Sequence, residues 1–350
     1  MNSLKILAFA LFATVAFSAC EKALMDEVSG TDAISIFDEY ATLVKEKYAM
    51  LDYKNVEIDA LSDSIRLTIT PGISELELFN KLGIITERLR DAHSSLILDK
   101  SDTESPFAGF DLLEGYAPGF DFDILSEHYI GKEVNPDLNT LEGGAVGLRA
   151  AWGTLPQNEE IGYLWIPSWN EPIKEEEIET IFKDLQNTKG LVFDMRLNTG
   201  GDPALATTFA SYFTDKAVDT GFERFKTGPG ANDFSDSPVI LQPADREYRY
   251  LKPVRILTDR YVYSASTTFL YSVDPITRIE TVGQRTGGGS GSVADGYLAN
   301  GWYWSLSTSE FIDAQGRHLD DGVDPDIPVA LNLEDTAQDE VVEAALADLK

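Results

Sequence analysis

Two stretches in the first third of the chain carry apolar residues at helical spacing. One covers residues 33–53 and the other residues 74–91, and in both the apolar positions recur every three or four residues. This spacing gathers the apolar side chains on one helix face, which must pack against another element. Thr31 or Asp32 is the expected N-cap of the first helix. We therefore predict a helical N-terminal domain over residues 33–100.

The pattern changes after residue 100. Residues 101–158 are interrupted by glycine and proline and predict a small irregular β region, with strand-like runs at 120–125 and 145–148. From residue 159 to 335, apolar runs typical of buried strands alternate with helical patterns, which predicts an α/β domain. We expect strands at 161–166, 191–193, 254–257 and 279–282, helices at 175–189, 204–213 and 265–273, and a C-terminal helix over residues 336–350.

The start of the chain has the pattern of an export signal. Lys5 precedes an apolar run that is short for a membrane span, so we predict a cleaved signal peptide over residues 1–19. The run Phe17-Ser18-Ala19-Cys20 resembles a bacterial lipobox, which implies a lipid anchor on Cys20. An ordinary signal with a chance cysteine is the alternative. Residues 20–32 would then be a tether, and the body would be a cell envelope lipoprotein facing the periplasm or the cell surface.

Composition restricts the partners of the chain. It has 28 Lys and Arg against 59 Asp and Glu, a formal charge of -31 that would repel nucleic acid and anionic lipid surfaces. Hydrophobic residues make up 43% of the chain, which indicates a globular fold. Three scattered histidines and one cysteine give no metal-ligand spacing, so we expect no metal and no cofactor. The oligomeric state is not predicted.

Two turns after predicted strands carry the candidate chemistry. An apolar run at residues 191–193 leads to the pair Gly200-Gly201, and a second strand ends at Ser264, where a helix begins. A serine there can act as a nucleophile while the helix N-terminus stabilises negative charge. A backbone N–H of Gly200 or Gly201 and the N–H of Ala265 could form an oxyanion hole. The alternatives are an N-capping serine and a tight turn without a ligand.

Four ordered segments resemble serine peptidases of the C-terminal-processing and tricorn-core type. Residues 194–201 resemble the D-x-R-x-N-x-G-G segment of that family, and residues 258–266 resemble its nucleophile segment. Residues 282–289 resemble the glycine-rich segment that follows, and residues 322–329 the G-V-x-P-D-I-x-V end of the domain. The resemblance implies a crotonase- and ClpP-like α/β core of stacked ββα units. The small β region stands in place of the family's usual PDZ insertion.

The chain departs from this family where the base is expected. In the processing branch a lysine of the glycine-rich segment deprotonates the serine, and here Gly289 takes that place. No lysine lies between residues 253 and 349, and the guanidinium of Arg285 does not release its proton at usable pH. A histidine is the remaining base, and His93 matches the position of the tricorn-type histidine.

The other histidines and the acid are placed by the same resemblance. His128 and His318 are the only other histidines, and His318 lies beside Asp320 in the segment that carries an acidic site residue in the tricorn branch. We therefore take Asp320 as the acid. Two further departures are Ala92, where tricorn-like members have a serine, and Thr267, where many members have glutamate.

We expect a lipid-anchored serine endopeptidase that acts on polypeptides, with Ser264 as nucleophile and His93 as base. The alternative is a catalytically inactive binding lipoprotein that keeps the peptidase fold, as in the retinoid-binding relatives of vertebrates. A structural envelope lipoprotein is a third hypothesis. A long distance between His93 and Ser264 would favour the carrier, and the absence of a cleft at Ser264 would favour the structural protein.

Overall fold

The structure is a computed structural model that describes residues 32–350. The predicted signal peptide, Cys20 and nearly all of the tether lie outside the described residues. Among residues 32–350, no helix is both long and apolar enough to cross a membrane. The helices are α1 (Ala33–Lys47), α2 (Ile58–Arg66), α3 (Glu75–Leu89), α4 (Phe122–Leu125), α5 (Glu175–Leu185), α6 (Pro203–Ser211), α7 (Ala265–Val273) and α8 (Glu340–Asp348).

The strands of the described residues form three sheets. The largest contains, in spatial order, β14 (Ile327–Pro328), β10 (Ile279–Gly283), β9 (Val254–Thr258), β6 (Gly190–Asp194), β5 (Asn158–Trp165), β4 (Leu148–Leu155) and β3 (Asn139–Glu142). A four-stranded sheet contains β11 (Val293–Tyr297), β12 (Tyr303–Ser307), β1 (Ser95–Ile97) and β2 (Phe107–Gly109). The third contains β13 (Ser309–Asp313), β7 (Val218–Lys226) and β8 (Phe234–Leu241).

The seven-stranded sheet organises the α/β part of the molecule. Its strands are parallel from β14 to β5, and β4 and β3 extend it with antiparallel pairing. Side chains of α5, α6 and α7 cover one apolar surface of this sheet, and α8 covers another. The predicted α/β class is confirmed. Because the carboxyl ends of parallel strands lie at the same edge, the loops after β5, β6, β9 and β10 meet there.

The N-terminal helices share a core with a distant part of the chain. Apolar side chains of α1, α2 and α3 pack with Trp302, Trp304 and Leu306, which flank or belong to β12. Trp302 meets Phe79 of α3 edge to face, with ring centroids 5.4 Å apart. Residues 298–306, which the sequence pattern assigned to the α/β domain, therefore fix the position of α3.

Capping residues define where α3 begins and ends. The Ser74 hydroxyl accepts a hydrogen bond from Glu77 N at 3.3 Å, which satisfies a free donor of the first turn. Arg90 ends the helix in the left-handed conformation, with φ 50°. This reversal directs the chain into the segment from Asp91 to His93.

Several local predictions were wrong. Residues 120–125 do not form a strand. Asp121 Oδ1 accepts hydrogen bonds from Asp123 N and Ile124 N, which caps the start of α4. This helix continues as a π-helical turn over Ser126–Ile130. The first helix ends at Lys47 and does not reach residue 53. Helix α2 and the three-stranded sheet were not predicted; most residues of β8 are exposed, so its sequence lacks an apolar period.

A buried arginine joins the sheet to the C-terminal helix. The side chain of Arg196 is fully buried between two carboxylates, with Nη2 2.6 Å from Asp194 Oδ2 and Nη1 2.8 Å from Asp339 Oδ2. Asp339 also caps α8 by accepting hydrogen bonds from Val341 N and Val342 N. Removing the guanidinium would leave two buried carboxylates without a counter-charge.

We predict that Arg196→Met lowers the free energy of unfolding by about 3–5 kcal/mol. The matched control is Lys189→Met, because Lys189 pairs with Glu160 on the surface, where both side chains are more than half exposed. That change should cost less than about 1 kcal/mol. Urea denaturation at pH 7 measures both values, and equal losses in the two variants would contradict the prediction.

Candidate active site

Ser264 lies at the carboxyl edge of the seven-stranded sheet, in the turn between β9 and α7. Its backbone has φ 58° and ψ -122°, a conformation that residues other than glycine rarely adopt, and its side chain does not cap α7. The hydroxyl Oγ instead lies 2.9 Å from His93 Nε2. The alternative of a simple N-capping serine is therefore wrong.

Gly200 allows the turn after β6 to pack directly against Ser264. A Cβ at Gly200 would lie 2.7 Å from Ser264 Cβ and 2.9 Å from Ala265 N, closer than real Cβ atoms approach. The backbone of Gly200 also has φ 102°, which glycine adopts without strain. A glycine is thus required for the two turns to meet.

Two backbone N–H groups beside Ser264 are free to bind a ligand. Those of Gly201 and Ala265 donate to no other group among residues 32–350, and both residues line the same cavity as Ser264. Gly200, the third predicted donor, needs a correction, because its N–H donates to Asn198 Oδ1 at 3.0 Å. Two preorganised donors can stabilise a developing oxyanion.

His93 comes from the turn between α3 and β1. Its backbone N–H donates a hydrogen bond to Asp91 Oδ1 at 2.9 Å, and Ser305 Oγ of β12 donates one to its backbone carbonyl oxygen at 2.7 Å. Its Nδ1 is buried and has no hydrogen-bond partner in the described part of the chain. Burial lowers the pKa of His93, although the charge of Asp91 acts in the opposite direction. Burial thus favours the neutral imidazole, which can accept a proton.

Asp91 holds the histidine turn and the residue before the serine together. Its Oδ1 also accepts a hydrogen bond from the Tyr263 hydroxyl at 3.3 Å, and its Oδ2 accepts one from Ser94 Oγ at 2.8 Å. Burial and the nearby Asp91 raise the pKa of Tyr263, so its phenol stays protonated and donates. The ring centroids of Tyr263 and His93 are 4.7 Å apart.

Gly289, which the family resemblance predicts at the place of the lysine, has no room for a side chain. Its backbone has φ 70°, and a Cβ there would lie 2.2 Å from Tyr263 Cζ. The Tyr263 ring therefore fills the space that a side chain at position 289 would enter. The glycine at position 289 and the tyrosine that packs beside His93 therefore belong to one packing arrangement.

Asp320, the predicted acid, makes no hydrogen bond to His93. Its Oδ2 lies 2.7 Å from Lys54 Nζ, both side chains are buried, and Oδ1 has no partner among the described residues. Burial and the charge of Asp91 raise the pKa of Asp320 to about 7, while Lys54 acts in the opposite direction. Lys54 was not predicted as part of this site, because it lies far from Asp320 along the chain.

The remaining histidines lie elsewhere. His128 Nε2 is 2.7 Å from the Thr336 carbonyl oxygen, and the His318 ring stacks on Tyr53 with centroids 4.3 Å apart. Neither residue lines the cavity at Ser264. Within residues 32–350, no group of three or more His, Cys, Asp or Glu side chains could hold a metal ion.

Two cavities adjoin these residues. One of about 140 Å³ lies beside Ser264, and its lining includes Gly201, Ala265, Glu223 and Tyr271. The second, of about 240 Å³, has Asp91, Tyr263 and Asp320 in its wall. A cleft at Ser264 counts against a purely structural protein. Glu223 was missed from the sequence because it lies on β7, a strand that the pattern did not predict.

Known proteins resemble this chain in sequence and in fold. Residues 160–329 match peptidase family S41. A crystal structure of a candidate peptidase from Parabacteroides merdae is 30% identical, with a TM-score of 0.81, covering 91% of this chain and 97% of that chain. Mature CPAF in complex with lactacystin shares the fold, with a TM-score of 0.64 at 15% identity over 91% of this chain and 98% of that chain.

A curated relative covers a smaller part of the chain. The carboxy-terminal processing protease CtpA of Bacillus subtilis (strain 168) is 24% identical over 212 residues, which are 57% of this chain. The match spans 43% of the length of CtpA, less than half of that protein. The family match and the solved relative confirm what the four ordered segments predicted: the chain belongs to peptidase family S41.

Proposed function

We propose that this chain is a serine endopeptidase of the bacterial cell envelope, with Ser264 as nucleophile and His93 as general base. The observation that carries the proposal is the distance of 2.9 Å between His93 Nε2 and Ser264 Oγ. Burial also lowers the pKa of His93, which favours the neutral imidazole. A base within hydrogen-bond reach can take the hydroxyl proton as the oxygen attacks. Membership of peptidase family S41 supports a peptide bond as the target.

The proposed reaction uses each group in turn. Ser264 Oγ attacks the carbonyl carbon of the scissile peptide bond, and its proton passes to His93 Nε2. The N–H groups of Gly201 and Ala265 bind the oxyanion. The imidazolium then gives the proton to the leaving amine as the C–N bond breaks, which leaves an acyl-serine. Water hydrolyses this ester, and His93 takes the proton of the water and returns it to Ser264.

We assign the part of the acid to Asp91 instead of Asp320. The charge of Asp91 favours the protonated form of His93, so it stabilises the imidazolium that forms during attack. Asp320 acts on the histidine turn indirectly, through Lys54. It pairs with Lys54, whose Nζ also donates a hydrogen bond to the Arg90 carbonyl oxygen just before that turn. In this proposal Asp320 is a positioning residue.

The cellular setting rests on the start of the sequence. A signal peptide over residues 1–19 and a lipid on Cys20 would place the peptidase domain at a membrane surface of the envelope. Its substrates would be polypeptides that reach that compartment. A carrier function would not require a hydrogen bond between the histidine and the serine, so the short distance between them favours the peptidase.

We predict that Ser264→Ala lowers casein hydrolysis by about 10³-fold or more, because the nucleophile is lost. Thermal unfolding should be unchanged or slightly improved, since the backbone strain at this position remains and only a hydroxyl is removed. Ser64→Ala, a change at an exposed serine of α2, is the control and should keep full activity. Activity that survives in Ser264→Ala would assign the nucleophile to another residue.

A second prediction concerns the pH profile of kcat/KM. Because burial lowers the pKa of His93, the acid limb should have its midpoint below the ordinary histidine value of about 6.5. Activity should then be flat as the pH rises through 7.

Asp91→Asn removes the charge that raises the pKa of His93, so the acid limb should move to still lower pH. We also expect kcat to fall by about tenfold or more, because the imidazolium loses its stabilising charge. Asp99→Asn, at an exposed aspartate close along the chain, is the control. A shift of the limb to higher pH in Asp91→Asn would contradict the assigned role of Asp91.

A further inference from the structure

The cavity beside Ser264 has the position of a pocket for the P1 residue, the residue whose carbonyl carbon is attacked. Its lining includes Ser264 and the two residues with free N–H groups, Gly201 and Ala265. A carbonyl oxygen bound by those groups places the adjoining Cα at the mouth of the cavity. The side chain on that Cα would therefore enter the space of about 140 Å³.

Glu223 is the one charged side chain among the described residues that line this cavity. Its Oε1 accepts hydrogen bonds from Ser292 Oγ at 2.8 Å and from Ser309 Oγ, which fix the carboxylate in place. Its Oε2 has no hydrogen-bond partner in the part of the chain that the structure describes. One oxygen therefore anchors the group and the other remains available to a ligand.

No cation of residues 32–350 forms an ion pair with Glu223. The neighbouring Arg224 pairs with Asp236 and Glu310, its cross-strand partners on β8 and β13. Successive side chains of a strand point to opposite faces, so this ionic cluster lies across the sheet from Glu223. The charge of Glu223 is thus left for the cavity.

The rest of the cavity suits a long side chain with a polar end. Tyr271, stacked on Phe311 with centroids 3.5 Å apart, provides a flat apolar wall for methylene groups. Burial, and to a smaller extent Glu223, raises the pKa of Tyr271 to about 12, which agrees with a position close to the carboxylate. Ser290 Oγ is buried and has no partner among the described residues, so it can accept a further hydrogen bond.

We propose that this cavity selects a lysine or arginine as the P1 residue, whose cationic group pairs with Glu223 Oε2. The proposal rests on the proposed peptidase function and names its substrate class. A buried cation needs a counter-charge and hydrogen-bond acceptors, and Glu223 and Ser290 supply them. A neutral P1 side chain would displace water from the carboxylate without replacing its hydrogen bonds, which disfavours such substrates.

The first test compares peptides that differ only at P1. Lysine is compared with norleucine, which has the same straight carbon chain without the charge, and we expect kcat/KM to favour lysine on the order of 30-fold. Glu223→Gln keeps the length of the side chain and its contacts with the two serines, so it should fold. It should lower kcat/KM for the lysine peptide and raise kcat/KM for the norleucine peptide, because the carboxylate that disfavours a neutral side chain is gone. The preference for lysine should therefore be lost.

Two more variants sharpen this test. Glu223→Lys should reverse the preference, so that a P1 glutamate is cleaved faster than a P1 lysine. Glu133→Gln, at an exposed carboxylate outside the cavity, should behave as the unchanged protein. Equal cleavage after lysine and norleucine, with no effect of Glu223→Gln, would overturn the pocket assignment while the peptidase function stood.

The second test does not depend on catalysis. In Ser264→Ala protein, n-butylamine should bind saturably, as followed by NMR chemical shifts, whereas 1-butanol should not. Adding Glu223→Gln to this variant should abolish amine binding. Amine binding through Glu223 without any peptide cleavage by the unchanged protein would reject the proposed function but keep the cation pocket. Failure of the amine to bind would reject the pocket.

Discussion

The site depends on one hydrogen bond, between His93 and Ser264, that joins two parts of the chain with different hydrophobic cores. His93 follows α3, which is held by the core that includes Trp302 and Leu306. Ser264 follows β9, in the seven-stranded sheet. Since a misplacement of about 1 Å can cost 10²-fold in rate, the packing of α3 on β12 is part of the catalytic apparatus in our account. The hydrogen bond from Ser305 to the His93 carbonyl oxygen makes this link direct.

A second constraint supports the proposal that the base is a histidine. Tyr263 fills the space beside Gly289, and its hydroxyl donates to Asp91, which in turn holds the backbone of His93. A lysine at position 289 and a tyrosine at position 263 could not share this space. The residue that blocks a lysine thus also orders the aspartate that stabilises a charged imidazole. The predicted loss of the family lysine is therefore not by itself a sign of lost catalysis.

The sequence predicted the parts of the molecule whose signals are local. Alternating apolar strands and helices gave the α/β class, and the turns at Gly200 and Ser264 follow buried strands as the pattern indicated. Contacts between distant segments gave no such signal. The shared core of α3 and β12, the pairing of Lys54 with Asp320, and Glu223 at the cavity all depend on packing that residue spacing does not reveal. Asp121 misled the prediction for a different reason, because a capping residue outweighed a strand-like alternation.

The most direct test of the central claim is the site and pH dependence of covalent modification by diisopropyl fluorophosphate. Peptide mapping by mass spectrometry should find one adduct, on Ser264, and its rate of formation should fall at low pH as His93 becomes protonated. His93→Ala should slow this reaction at neutral pH to the rate of an unactivated serine. An adduct on another residue, or an equal rate in His93→Ala, would show that His93 and Ser264 do not act as a pair.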